Sequence, residues 1–251
     1  MKITGIPAFQ DNYIWCLERD GRALVVDPGD ADPVLDHFAA SGTALAAILI
    51  THHHNDHAGG IAGLVRRFEV PVFGPAHEDI AGVTVKVREG DTVRVPQLDA
   101  QFSVIELPGH TLGHVAYYRP NQLFCGDTLF ACGCGRLFEG TPAQMLASLS
   151  KLASLPGDTQ VYCAHEYTQS NIRFALAVEP GNQRLIARSK QVNALRQAGL
   201  PSVPSTIETE RETNPFLRAG ESAVIAAARA RGADDSPVAV FAALREWKNR
   251  Y

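Results

Sequence analysis

Apolar and polar positions follow two rhythms along this chain, and the change between them near residue 168 divides it. Up to that point short apolar runs end in turn residues, the signature of strands. Residues 23–26 run into Asp27-Pro28-Gly29, a turn that closes a strand. Residues 45–50 are continuously apolar over a strand's length, which predicts burial on both faces. Three later runs behave alike: 102–107 stops at Pro108-Gly109, 122–125 leads into Gly126-Asp127, and 160–163 leads through Ala164 to His165. Ile61, Leu64, Val65 and Phe68 recur at helical spacing and predict a helix over about 60–68. Thr141-Pro142-Ala143-Gln144 has the form of a capping box with proline at the first helical position, starting a helix to about residue 153. Beyond residue 168 the period becomes 3.6, over 169–178, 183–197, 221–231 and 238–248. Pro180-Gly181, Gly199-Leu200-Pro201 and Ser236-Pro237 punctuate these stretches. The pattern predicts an α/β domain over 1–167 and a smaller all-helical domain over 168–251.

Four of the predicted strands deliver a histidine or an aspartate at, or just past, one end. The run after residue 50 is the densest: THHHNDH holds four of the chain's nine histidines. His52, His54, Asp56 and His57 spell His-x-His-x-Asp-His, an order that serves two metal ions at once. Imidazole and carboxylate are the usual ligands of a hydrolytic divalent ion. The alternative, a solvated histidine-rich turn, leaves so unusual a spacing unexplained. Taken singly, His110 and His165 read as satisfied core histidines and Asp127 as a turn cap. Side chains gathered at strand ends converge in α/β folds, and together the three complete a ligand set.

Composition narrows the class. With 251 residues, 45% of them hydrophobic and 20% charged, the chain is an ordinary globular protein of one large or two smaller domains. Lys and Arg total 23 against 27 Asp and Glu, a net charge of −4, which speaks against a dedicated nucleic-acid binder. No apolar stretch reaches the ~18 residues of a membrane span, and the first residues lack a secretory apolar core. The expected location is therefore the cytoplasm, with no membrane partner. Five cysteines, an odd number, suit a reducing compartment. Cys132-Gly133-Cys134 has one intervening residue and no second pair, so it reads as small side chains in a tight glycine loop. Gly-x-Ser-x-Gly is absent, and no serine or cysteine stands out as a nucleophile.

The order THHHNDH, His110, Asp127, His165 resembles the ligand pattern of the metallo-β-lactamase superfamily. Further marks resemble one family within it, glyoxalase II (the hydroxyacylglutathione hydrolases). These are Asp11-Asn12-Tyr13, Cys132-Gly133-Cys134-Gly135-Arg136, Gly140-Thr141, His165-Glu166-Tyr167-Thr168, Glu179-Pro180-Gly181-Asn182 and Asn214-Pro215-Phe216, spanning nearly the full chain. The resemblance implies an α/β fold, the αββα metallo-β-lactamase-type sandwich, with a smaller C-terminal all-helical domain. It implies that His52, His54 and His110 hold one divalent ion, that Asp56, His57 and His165 hold a second, and that Asp127 bridges both. Asp56 and Asp127 are then the catalytic carboxylates. Zinc is the expected metal, and iron or manganese also tolerates such a mixed N/O set. His53 and Asn55 fill alternate positions, and His37, His77 and His114 match no ligand position.

The implied reaction is hydrolysis of S-D-lactoylglutathione and related 2-hydroxyacyl-glutathiones to glutathione and D-lactate, the second step of methylglyoxal detoxification. Two ions about 3.5–4 Å apart share a water and lower its pKa toward ~7, so hydroxide is available as nucleophile. The departing thiol has a pKa near ~8.5 and needs no strong general acid. Arg245 and Lys248, three apart on the last helix, match positions that grip the glycine carboxylate; without the resemblance they read as a solvated helix face. Arg136 and Tyr167 are the further implied contacts. Phe138 stands where some relatives have tyrosine, which removes one hydrogen bond, about 0.5–1.5 kcal/mol of affinity. A monomer acting on a small molecule is expected. The rival readings are a persulfide dioxygenase with a single iron, a lactonase, a β-lactamase, and, from other classes, an RNA-processing nuclease or a metal-dependent binding module. The dioxygenase would not need the tail carrying Arg245 and Lys248, and a lactonase would leave them unexplained. The β-lactamase relatives carry cysteine in place of Asp127 and lack the histidine matching His57. The acidic balance weighs against a nuclease, and the seven intact ligands weigh against a module without turnover.

Overall fold

The computed structural model describes residues 1–251, which divide into two compact units, 1–106 with 112–126 and 107–111 with 127–251. In the first unit β1 (Lys2–Ala8), β2 (Asn12–Arg19) and β3 (Arg22–Val26) form an antiparallel ribbon. Helix α1 (Asp32–Ser41) then crosses to β4 (Ala44–Leu49), parallel to β3. Two short helices, α2 (Asn55–Ala58) and α3 (Ile61–Val65), lead to β5 (Val72–Pro75) and β6 (Val85–Val87), which continue the parallel side. A meander follows: β7 (Thr92–Val95), β8 (Ala100–Glu106), β9 (Val115–Arg119) and β10 (Gln122–Gly126), all antiparallel.

Burial explains why β4 reads as an unbroken apolar run. On one face Ile48 and Ile50 pack with Ile14, Cys16 and Val25 against Val34 and Phe38 of α1 and Ile61 and Leu64 of α3. On the other, the buried Tyr117 of β9 donates its hydroxyl to the carbonyl of Ile50 at 2.9 Å. A strand covered on both sides has no polar face to alternate with. The helix expected over 60–68 is shorter, ending at Val65, and α2 precedes it. The glycines explain the difference: Gly60 gives its N–H to the carbonyl of Pro28, and Gly63 lies inside the short helix, so propagation is weak.

The second unit opens with the paired β11 (Leu129–Phe130) and β12 (Gly133–Cys134) and continues into α4 (Pro142–Ala153). The anticipated capping box is formed: Gln144 N–H reaches Thr141 Oγ1 at 3.3 Å and Thr141 N–H reaches Gln144 Oε1 at 2.9 Å. Then come β13 (Gln160–Cys163), α5 (Thr168–Val178), α6 (Gln183–Gln197), β14 (Ser205–Thr206), α7 (Ile207–Thr213), α8 (Ser222–Arg229) and α9 (Pro237–Asn249). Ile172, Ala175, Leu185 and Val192 close the α5–α6 contact. Residues 205–213 carry no apolar rhythm, so nothing in the local pattern predicts β14 and α7 there. The buried face of α7 is Ile207, Glu210 and Thr213, mostly polar.

Candidate metal and substrate site

The first unit presents His52, His54, Asp56 and His57 in the loop after β4 and on α2. Their orientation traces to one buried carboxylate. Asp27 follows β3 and, through the parallel pairing of β3 with β4, lies beside Thr51. It accepts from Thr51 N–H at 2.8 Å, from Thr51 Oγ1–H at 2.7 Å and from His57 Nδ1–H at 3.0 Å. Because its hydroxyl proton goes to Asp27, Thr51 Oγ1 accepts from His52 Nδ1–H at 3.0 Å. Both tautomers are thereby set, with Nε2 the unprotonated nitrogen of His52 and of His57, the form in which an imidazole could hold a metal ion. His52 Nε2 stands 3.1 Å from His54 Nδ1. Two ligands of one ion with ~2.0 Å bonds in a tetrahedron stand about 3.3 Å apart, so this pair fits a shared ion. Asn12 donates Nδ2–H to Asp56 Oδ2 at 3.0 Å, and that oxygen is 3.5 Å from His57 Nε2. A side chain at Gly29 would place Cβ 1.9 Å from the Asp56 carbonyl oxygen, so the Asp27 turn reaches the ligand loop only as glycine.

His53 pairs with Glu78, its Nδ1 3.1 Å from Oε2. His37 and His77 pair with Glu18 and Glu106. His114 is buried and stacks on His52, ring centroids 4.8 Å apart, which braces that ring. Asp27 and Asn12 hold Thr51, His57 and Asp56 in place, and neither carries a local signal of it: Asp27 belongs to a self-sufficient Asp27-Pro28-Gly29 turn, and Asn12 to the Asp11-Asn12-Tyr13 mark.

The second unit presents His110, Asp127 and His165. Asp127 lies between the two rings, Oδ2 3.5 Å from His110 Nε2 and Oδ1 3.4 Å from His165 Nε2. Those separations exceed a good hydrogen bond and match neighbouring ligands of an ion, one oxygen toward each side. His110 Nδ1–H donates to the Arg136 carbonyl at 2.8 Å, which again leaves Nε2 as the unprotonated ring nitrogen. A Cβ at Gly135 would meet the Asp127 carbonyl oxygen at 1.9 Å, so this loop closes on the aspartate only with glycine there. The ring of His165 lies flat on Tyr167, centroids 4.6 Å apart.

A cleft of about 530 Å³ opens from His110 and Asp127. Arg136, Phe138, Tyr167, Arg245 and Lys248 all line it. Phe138 is 64% exposed and stands edge-on to His110 at 5.2 Å. Arg245, by contrast, is buried and already gives Nη1–H to the Cys134 carbonyl at 2.8 Å and Nε–H to Asn249 Oδ1 at 3.1 Å. Lys248 Nζ reaches the Ser170 carbonyl at 3.3 Å. Burial, then the nearby Arg245 and Arg173, lower its ammonium pKa to about 8. The cleft is thus cationic at one end and donor-lined by His110 and Asp127 at the other.

The loop between β11 and β12 is pinned from several sides. Cys132 N–H donates to Glu210 Oε2 at 2.7 Å, and Asn214 Nδ2–H to the Gly133 carbonyl at 2.8 Å. All five cysteines are buried, and none forms a disulfide. Burial first, and Glu210 next, push the Cys132 thiol up, which disfavours its reactive thiolate form.

No helix is long and apolar enough to cross a membrane. A family model described as the metallo-β-lactamase superfamily matches residues 9–165, and one described as the hydroxyacylglutathione hydrolase C-terminus matches residues 166–251. The hydroxyacylglutathione hydrolase of Dechloromonas aromatica is 54% identical, covering all of both chains. That of Cupriavidus metallidurans is 56% identical over all of this chain and 99% of its own. Among solved structures, ETHE1 from Myxococcus xanthus is similar at 26% identity with a TM-score of 0.60, over 85% of this chain and 99% of that one. TTHA1623, solved in a di-iron-bound form, is 27% identical with a TM-score of 0.61, over 86% of this chain and 100% of its own. The fold is the α/β metallo-β-lactamase type with a helical C-terminal region, as the family resemblance implies. The histidine and aspartate groupings on that fold support a divalent metal site.

Proposed function

The chain belongs to the hydroxyacylglutathione hydrolases within the metallo-β-lactamase superfamily, and on that premise we propose that it cleaves S-D-lactoylglutathione to glutathione and D-lactate. It is a thioester hydrolase, and full-length identity above 50% to hydrolases of that name disfavours the dioxygenase and lactonase readings. The observation that carries the substrate proposal is the cleft that runs from His110 and Asp127 to Arg136, Arg245 and Lys248. A peptide-like anion fits its cationic end, and its acyl group then meets the ligand end.

His52, His54 and His110 would hold one ion, and Asp56, His57 and His165 the other, with Asp127 shared between them. Zinc is the proposed metal, with iron or manganese compatible; the neighbour solved with two irons has this fold. When bound, such ions supply Lewis acidity toward a carbonyl oxygen and acidify water. The chain's own residues do the rest. Asp27 and Thr51 hold the rings of His52 and His57 in one tautomer, and the Arg136 carbonyl does so for His110. Asn12 fixes the plane of Asp56, which then orients the proton of the attacking water. Once one proton of that water has passed to solvent, the remaining hydroxide bonds to the thioester carbon. The tetrahedral adduct collapses with rupture of the C–S bond, and glutathione leaves as thiolate, a leaving group that asks for no buried acid. The carboxylic acid formed gives its proton to solvent. Tyr167 and Phe138 flank the scissile group, and the proposed division at 167/168 assigns substrate grip to the helical part through Arg245 and Lys248. A cytoplasmic monomer without nucleic-acid or membrane partners completes the proposal; the net charge of −4 supports the part that concerns nucleic acid.

Metal-loaded protein is expected to turn over S-D-lactoylglutathione with kcat/KM at least ~10²-fold above nitrocefin or a homoserine lactone. Equal turnover of either alternative overturns the substrate assignment.

Lys248 gives a pH signature. Its ammonium is charged below about 8 and neutral above, so the grip on a carboxylate weakens as pH rises through that value. KM should climb above pH 8 while kcat stays level. Lys248→Ala should raise KM about tenfold, ~1.4 kcal/mol, and abolish the climb. An unchanged KM in that variant removes Lys248 from the substrate site.

A further inference from the structure

Strand β2 places Cys16 and Glu18 two residues apart, on the face that α1 covers. His37 of α1 lies above them, its Nε2 3.2 Å from Glu18 Oε1. One ligand atom from each of Cys16, Glu18 and His37 lies within 4.8 Å of the others. The thiol of Cys16 is wholly buried, and burial, reinforced by Glu18, raises it to about 12. The imidazole and carboxylate remain partly open, at 23% and 13% side-chain exposure, so an ion can arrive from solvent.

We propose that Cys16, Glu18 and His37 form a metal site for a borderline-soft divalent cation of the zinc type, sharing no residue with the catalytic ligands. The donor types carry the choice of ion. Sulfur and imidazole nitrogen exclude magnesium and calcium, whereas one thiolate, one imidazole and one carboxylate, with water in the fourth position, is a zinc-like set. Spacing agrees: tetrahedral ligands with bonds of about 2.0–2.3 Å stand roughly 3.3–3.8 Å apart, so His37 and Glu18 are nearly placed and Cys16 needs a small inward shift. The carboxylate is already held by outer partners, with Thr43 Oγ1–H donating to Oε1 at 3.2 Å and Lys2 Nζ 3.7 Å from Oε2. A bound ion would tie β2 to α1. The competing account is a plain His37–Glu18 hydrogen bond above a cysteine that serves as a small apolar side chain.

Cobalt(II), added alone to the metal-loaded enzyme, separates the two accounts. The proposed catalytic ligands are nitrogen and oxygen only, so a thiolate-to-cobalt charge-transfer band reports sulfur ligation elsewhere. The expected result is a band that saturates at one further cobalt per chain and vanishes in Cys16→Ser. In His37→Asn the affinity should fall at least tenfold, while thioester hydrolysis in both variants stays within twofold of the parent. No band in the parent chain, or the same band in Cys16→Ser, overturns the proposal. If Cys16→Ser does not fold, His37→Asn decides alone, and an unaltered cobalt affinity there overturns it equally.

Discussion

Asp127→Ala is expected to strip the protein of both ions and to lower kcat by ~10³-fold or more, since losing a ligand exceeds the 10–100-fold that an outer-shell change costs. The reason lies in where the carboxylate stands. One oxygen faces His110 at 3.5 Å and the other faces His165 at 3.4 Å, so a single side chain serves two rings on two separate loops. Without it, imidazoles would crowd two cations with less anionic charge to offset them. The backbone should tolerate the change, because Gly135 packs on the Asp127 carbonyl and not on its side chain. Asp127→Asn keeps the shape and removes the charge, and should fall between parent and alanine in bound metal. Elemental analysis beside circular dichroism checks this. A folded alanine variant that retains two ions and full turnover would refute the bridging role.

The second large effect is expected at a residue that contacts no substrate. Asp27 accepts three hydrogen bonds, two from Thr51 and one from His57, and through Thr51 it also orients His52. Asp27→Asn substitutes an amide that cannot accept all of them, and the imidazole tautomers lose their lock. Metal affinity should fall 10–100-fold, the range for partners behind metal-ligating histidines. Asparagine suits the left-handed backbone at this position, where φ is 52°. The fold is therefore expected to persist, although a buried group left unmatched costs about 1–3 kcal/mol. Competition with a chromophoric chelator reads the affinity, and thermal melting of the metal-free chains reads the structural part. If the melting point dropped and affinity did not, Asp27 would be a structural residue only.

These two aspartates show what was legible in the chain and what was not. Asp127 could be found because β10 is a plain apolar run and the aspartate follows it directly, as His110 and His165 follow β8 and β13 at short distance. Strand ends are visible in a sequence because apolar runs stop. Asp27 follows β3 in the same way, yet its turn residues Pro28 and Gly29 supply a sufficient local explanation. Its role depends on the parallel pairing of Val26 with Leu49, a contact between segments more than twenty residues apart that no local pattern announces. Helix α7 was missed for a related reason: its buried face holds Glu210 and Thr213, and their partner Cys132 lies in a distant loop. Arg245 is a third case. Its spacing from Lys248 was readable, but its bond to the Cys134 carbonyl was not, so the arginine that suggests a substrate contact also holds the loop carrying Arg136. Hydrophobic rhythm locates elements and their ends; polar partners across elements wait for the fold.

We propose that His52, His54, Asp56, His57, His110, Asp127 and His165 would together hold one pair of cations. An anomalous-difference map from crystals of the zinc-loaded protein, recorded at the zinc edge, addresses it directly. Two adjacent peaks are expected among these side chains, the first bonded to His52, His54 and His110, the second to Asp56, His57 and His165, with Asp127 touching both. A single peak there, or zinc found only away from those residues, would contradict the account.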